Sequence, residues 1–295
     1  MPTDNSLSRR RLLQSAAFAA AWWGGHSCPP SSAAFAQAKP GGADIPVRDP
    51  LHNLKIGVAS YSLRKMNVDT AIKTIQRVGL KYVSLKDMHL PLKGSPEQLK
   101  AGVKKFTDAG IIPISCGVVA LRGNEGQIRS AFEYAKNAGI PTMVCDPAPT
   151  SLELLDKVIK EYDIRLAIHN HGPEQKDWPS PNEPYNAIKD LDPKIGLCID
   201  VGHTARAKVD PAEAILKYKD RLFDVHFKDI DSTAPNGKPI EAGRGVLNLH
   251  AILAALAKIN YAYHVGIEYE KDADDPLPGL AETVGYIRGA LAAIE

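Results

Sequence analysis

Four short stretches carry side chains able to do chemistry: RLAIHNH (165–171), GLCIDVGH (196–203), DVHFKD (224–229) and VGIEYE (265–270). Each is an apolar run that leads to an imidazole or a carboxylate, namely His169, Asp200, His226 and Glu268. If the first run is a strand, side chains alternate, so His169 and His171 share one face and Asn170 takes the other. Two imidazoles and two carboxylates form a mixed nitrogen and oxygen donor set. Such a set suits Mn²⁺ first, with Zn²⁺, Co²⁺ or Fe²⁺ as alternatives, more than Ca²⁺ or Mg²⁺. A lone histidine of this kind is more often a hydrogen-bonded structural residue. Metal-competent residues on four consecutive strands reverse that weighting.

Other side chains could complete a site. His171 lies about 7 Å along the strand from His169 by strand rise, and an imidazole with an ordinary pKa near 6.5 suits proton abstraction at neutral pH. The alternative is that His171 orients His169 or meets a loop carboxylate such as Glu174. Lys86 and His89 in SLKDMHLPL follow the second apolar run, and Lys86 could polarise a carbonyl, take a proton, or be a plain exposed lysine. Lys228 follows His226, and Arg244 sits in the Gly-rich EAGRGV loop. Both could hold hydroxyl or anionic oxygens of a substrate, a phosphate included. His203, three residues past Asp200, is near enough to serve as a substrate contact, whereas His250 and His264 are not.

These residues need elements to place them. Strand candidates are 55–59, 82–85, 113–118, 142–145, 165–170, 195–200, 222–227 and 263–269. Helix candidates alternate with them at roughly 68–78, 96–109, 125–138, 151–161, 183–190, 211–219, 248–258 and 279–293. Asp210-Pro211 and Ser95-Pro96-Glu97 read as an N-cap followed by an N1 proline. Gly79, Gly110 and Gly139 stand where helices should stop. Eight strands alternating with eight helices predict a single-domain (β/α)₈ TIM barrel of the usual ~250 residues. A two-domain doubly wound fold is the runner-up, but no G-x-G-x-x-G turn follows an early strand. In a barrel, chemistry sits at the C-terminal strand ends, where the residues above fall.

The first forty residues are different. Ser8-Arg9-Arg10-Arg11-Leu12-Leu13-Gln14 resembles a twin-arginine export signal, and a modest Ala-rich core follows from Ser15 to Trp23. The expected organisation is a signal peptide over 1–38, a linker over 39–53 and the barrel over 54–295, with a periplasmic address. Cys28 lacks the aliphatic residue that a lipid-anchor site needs before it. Removing residues 1–38 takes three arginines and one aspartate from 36 basic and 34 acidic residues, which leaves 33 of each. That balance argues against nucleic acid as a partner. No later apolar run approaches the roughly 20 residues of a membrane span, so no membrane contact is expected after signal removal; oligomerisation stays open. Cys116, Cys145 and Cys198 lie in strand-like runs and read as buried small hydrophobes rather than a disulfide framework.

Over residues 55–294 the chain resembles the sugar isomerase/epimerase branch of the xylose isomerase-like TIM barrels, which also hold inosose dehydratase, ketose 3-epimerases and endonuclease IV. The motifs are GLCIDVGH (196–203), DVHFKD (224–229), EAGRGVLNLHAIL (241–253) and VGIEYE (265–270), in that order. By the resemblance, Asp200, His226 and Glu268 match family metal ligands. The fourth family ligand is usually a glutamate in an aliphatic-Ala-aliphatic-Glu-Asn-His pattern; LAIHNH puts His169 there. In ketose epimerases the two metal-bound glutamates are also the acid/base pair, so Glu268 keeps a catalytic role while its partner is replaced. A His, Asp, His, Glu set around M²⁺ sums to zero, against about −1 for the family set, and leaves the ion a stronger Lewis acid.

The first expectation is a divalent-metal-dependent isomerase or epimerase acting on a sugar or keto-sugar through an enediolate. A lyase or hydratase that expels the C1 substituent of a 3-keto-glycoside shares the opening step and every residue. An endonuclease IV-type nuclease would need a basic face, and a non-catalytic periplasmic sugar binder would not need four ligands.

Overall fold

A computed structural model describes residues 51–294. The twin-arginine stretch, its Ala-rich core, Cys28 and most of the linker lie outside the described residues. Eight parallel strands close into one barrel in the order β1, β10, β7, β6, β5, β4, β3, β2. They are β1 (Lys55–Ala59), β2 (Tyr82–Leu85), β3 (Ile112–Leu121), β4 (Thr142–Pro147), β5 (Arg165–His169), β6 (Ile195–Asp200), β7 (Leu222–Phe227) and β10 (His264–Ile267). The (β/α)₈ expectation holds, with β3 longer at both ends and β10 shorter than the sequence suggested. Two elements were not foreseen. A two-strand ribbon, β8 (Asp229–Ile230) with β9 (Pro239–Ile240), follows β7, and a short helix α6 (Val201–Arg206) begins where β6 ends.

The strands form because they are short β-branched runs buried on both sides. Every residue of β6 and β7 is buried, as expected of parallel strands with helices outside and side chains within. Around the barrel stand α1 (Val68–Arg77), α2 (Pro96–Asp108), α3 (Glu125–Ala138), α4 (Leu152–Val158), α5 (Asn182–Ile188), α7 (Pro211–Lys217), α8 (Leu249–Lys258) and α9 (Leu277–Ala292). Their apolar faces meet the strands in one continuous core. The foreseen caps are present: Ser95 and Gln98 form a capping box on α2, and the Asp210 carboxylate accepts from Ala212 N and Glu213 N at the start of α7. Gly79, Gly110 and Gly139 take φ of 72°, 76° and 68°, the left-handed conformation that ends α1, α2 and α3.

Inside the barrel a small cluster of Val144, Ala167, Cys198 and Phe223 fills the middle. Cys116, Cys145 and Cys198 are all buried and free, as read from sequence. Above that plug the register sets the site. Asp200 pairs with His226 and His169 with Cys198, while Gly266 of β10 pairs with His226. Period-two alternation then brings His169, Asp200, His226 and Glu268 to one level at the C-terminal mouth. Among the described residues no helix is long and apolar enough to cross a membrane.

Candidate metal centre and active site

One atom from each of the four residues points to a common spot. His169 Nε2 lies 3.0 Å from His226 Nδ1, which lies 3.2 Å from Glu268 Oε2, and Asp200 Oδ2 is 3.5 Å from His169 Nε2. Donors bound to one ion at about 2.1 Å stand roughly 3.0–3.4 Å apart in octahedral or tetrahedral geometry; these separations are close to that, and all four atoms lie within 4.8 Å of one another. All four residues are buried. Asp200, Glu268 and nearby Glu270 face a single ammonium, Lys228, at 3.0, 2.7 and 2.5 Å. With both imidazoles neutral, as ligation of an ion requires, three carboxylates against one ammonium leave two excess negative charges at the mouth, the amount a divalent ion neutralises. The residues therefore fit a divalent metal.

Cys198 could join His169 and His226 in a second, sulfur-containing group. Burial pushes its thiol up to about 12, however, so it stays protonated at neutral pH. The carboxylate-bearing set is the better home for an oxygen- and nitrogen-seeking ion.

Burial and neighbours set the charge of each group. Burial pushes His169 down to about 4, against a smaller opposing pull from Asp200, so it is neutral and able to ligate. Burial also opposes charge on His226, but its hydrogen-bonding neighbours, the Cys198 sulfur and above all the Glu268 carboxylate, favour the protonated ring, a proton that an ion binding at Nδ1 would displace. Asp200 and Glu268 are penalised by burial, yet His203 and Lys228 for the first, and His226 and Lys228 for the second, keep both well below ordinary carboxylates. Lys228 in turn is held charged against burial by Asp200, Glu268 and Glu270.

His169, His226 and Glu268 form one wall of a cavity of about 300 Å³, lined also by Tyr61, Lys86, Gly117, Val118, His171, His203 and Glu270, while Asp200 lies buried behind it. That volume suits a small polar ligand. A larger cleft of about 400 Å³, lined by Lys136, Gly139, Glu161 and Asp163, lies at the opposite end of the barrel and gathers no metal-competent set.

His169 and His171 both line the cavity, with ring centroids 4.5 Å apart. Asn170 faces away, as strand alternation requires. Its Nδ2 donates to Thr204 Oγ1 at 3.1 Å and its Oδ1 accepts from Asp200 N at 3.0 Å, which locks the end of β5 to the β6–α6 junction. Burial lowers the proton affinity of His171, while Asp146 and Asp200 pull the other way. The Glu174 carboxylate pairs with Arg206. Lys86 enters from β2, with its backbone N–H donating to Ser60 Oγ and its Nζ to Val118 O at 2.8 Å. His203 reaches the cavity from α6, where its backbone N–H donates to Asp200 Oδ1 at 2.8 Å and caps that helix.

Three sequence candidates for substrate contact do not line the cavity. Lys228 is buried and its ammonium is taken up by Asp200, Glu268 and Glu270. His89 is 2% exposed and its Nε2 meets Met66 O at 3.1 Å, so it is a buried histidine held by the backbone, with its Nδ1 unpartnered, and it does not line the cavity. Arg244 points outward and pairs with Glu282 of α9 through Nε at 2.5 Å and an amino nitrogen at 2.7 Å. Its loop is shaped instead by buried Asp229, which accepts from Ile230, Gly243, Gly245 and Leu247 N–H groups. Sequence reasoning missed Glu270, Tyr61 and Arg206. Glu270 was findable, since it lies two residues past Glu268 and so on the same side of the chain.

Known proteins place this geometry. The model of the xylose isomerase-like TIM barrel family matches residues 72–290. A curated inosose dehydratase from Lacticaseibacillus casei is 24% identical over 138 residues, a match that covers 42% of this chain and less than half, 46%, of that relative. A solved 3-keto-D-glucoside 4-epimerase from E. coli superimposes with a TM-score of 0.66 at 18% identity, covering 80% of this chain and 99% of the other. A solved D-tagatose 3-epimerase-like protein gives 0.66 at 18% identity, covering 82% and 98%. These likenesses establish the shared fold, and the match over 72–290 shows that the chain belongs to the xylose isomerase-like TIM barrel family.

Proposed function

We propose that the protein is a divalent-metal-dependent sugar or keto-sugar isomerase or epimerase that moves a proton at a carbon next to a carbonyl. The observation that carries this reading is the convergence of His169, Asp200, His226 and Glu268, three of which, His169, His226 and Glu268, line a cavity together with His171 and Lys86. A divalent ion held there, Mn²⁺ by preference for a two-nitrogen, two-oxygen set, would polarise a carbonyl and its neighbouring hydroxyl.

The chain's own groups then divide the work. His171, kept neutral by burial, accepts the proton. Lys86 directly follows β2, across the mouth from β5, and can return a proton from that side. Glu268, held ionised by His226 and Lys228, is the second acceptor. His203 contacts a substrate oxygen from the α6 side, while the buried Lys228 ammonium holds the Asp200, Glu268 and Glu270 carboxylates in place. Names among the relatives, an epimerase and a dehydratase, match the two outcomes of such a step.

A lyase acting on 3-keto-glycosides is the second reading. It is favoured by His169, whose imidazole stands where a carboxylate could have been a second base. Deuterium tracing separates the two. Metal-loaded protein is incubated with keto-sugars and 3-keto-glycosides in D₂O. Incorporation without release of the C1 substituent means isomerase or epimerase, and release means lyase. Neither outcome from protein carrying stoichiometric metal sinks both.

Residues 1–38 are proposed to carry the folded protein to the periplasm by the twin-arginine route, ahead of a 39–53 linker and the 54–295 barrel. Periplasmic protein from an Arg9→Lys, Arg10→Lys variant would overturn that route.

A further inference from the structure

Arg206, at the end of α6, is a buried guanidinium that touches three chain segments around the cavity. One amino nitrogen lies 2.5 Å from His203 Nδ1 and 3.4 Å from His171 O. The other donates to Glu174, in the loop after β5, and to Pro235 O, in the loop after β8. The close fit needs Gly172, whose φ is +93°, because a Cβ there would lie 2.8 Å from the Arg206 guanidinium. A guanidinium only donates, so the nitrogen it meets on His203 must be a lone-pair acceptor. The ring proton of His203 is then on Nε2, the nitrogen 3.8 Å from Asp200 Oδ2. The opposite tautomer would set two N–H groups head to head.

We propose that Arg206 is a positioning residue that fixes His203 as the Nε2–H tautomer, a permanent hydrogen-bond donor to an oxygen in the cavity, and ties the loops after β5 and β8 to α6. The tautomer assignment stands without any reaction. Its catalytic consequence rests on the proton-transfer reading above. A donor that cannot also accept favours a substrate oxygen carrying negative charge over a hydroxyl that must donate.

Long-range ¹H–¹⁵N spectra of the full-length labelled protein test this, with His203 assigned by its loss in His203→Gln. The wild type should show a protonated Nε2 and an unprotonated Nδ1, and Arg206→Met should show a mixture of tautomers. Gly172→Ala, which keeps the guanidinium but pushes it off its seat, should shift the ring the same way. A protonated Nδ1 in the wild type overturns the proposal without any variant having to fold, and so does an unchanged ring in Arg206→Met. If the proton-transfer reading holds, Arg206→Met also lowers kcat at least about 10-fold with a smaller change in KM, in line with a lost transition-state contact. A wild type with no turnover sinks that reading and leaves the spectra to decide the role of Arg206.

Discussion

His169 Nε2 and His226 Nδ1 face each other at 3.0 Å inside the barrel mouth, with Glu268 Oε2 a further 3.2 Å from the second ring. One proton can satisfy only one of those two contacts, whereas one cation satisfies both. Purified protein should therefore carry about one divalent ion per chain, and Asp200→Ala or Glu268→Ala should abolish stoichiometric metal by elemental analysis. Full metal retention in both variants would refute the ligand set.

His171 differs from its neighbour His169 in having no atom in the ligand cluster. His171→Gln should keep the metal and lose deuterium exchange by about 10²–10⁴-fold, the range for a removed general base. Lys86→Met should cut turnover by a similar range while exchange of one proton survives. Equal loss of metal and rate in His171→Gln would instead make it a residue that orients His169.

His89 gives a stability prediction. Burial depresses its proton affinity, against smaller pulls from the backbone of Met66 and Leu63, and its Nδ1 is buried without a partner that could receive a second proton. The unfolded chain binds that proton more readily. Its contribution is complete above the unfolded pKa near 6.5 and is lost as pH falls below it. His89→Gln keeps a donor for Met66 O and cannot titrate. Between pH 7 and 5 the Tm of the variant should therefore fall less steeply than that of the wild type; parallel curves would contradict the assignment.

Asp229 holds four backbone N–H groups with one carboxylate that is 1% exposed. Asp229→Ala should destabilise the fold by about 2–4 kcal/mol in urea unfolding, since a buried charged acceptor and its donors are lost together. Arg244→Ala, on the loop that Asp229 shapes, should leave the urea midpoint essentially unchanged, since its pairing with Glu282 is in solvent.

The barrel and the cluster at its mouth that could hold a metal were legible because short β-branched runs fix a strand, and period two fixes which residues face inward. His169, Asp200 and His226 are placed by backbone register, which sequence can carry, and Glu268 follows one residue past β10. Loop residues are different. Arg244 was drawn toward the site by its motif but is captured by Glu282, 38 positions away, and nothing periodic announces such a pairing. His89 follows the same strand as Lys86, yet a turn after β2 carries it into the core against Met66. Helix α6 was missed because its six residues are too few to show an apolar repeat.

Asp200 uses its Oδ1 to cap α6 through His203 N–H, and its backbone N–H is held by Asn170. Its rotamer is thus chosen by folding, before any ion arrives. Little conformational entropy remains to be lost on binding, so affinity at this position should depend on the ion's own dehydration rather than on ordering the ligand. The same commitment narrows evolutionary choice: a replacement at position 200 must serve a helix start and a coordination sphere at once, which aspartate does and glutamate, one methylene longer, does not.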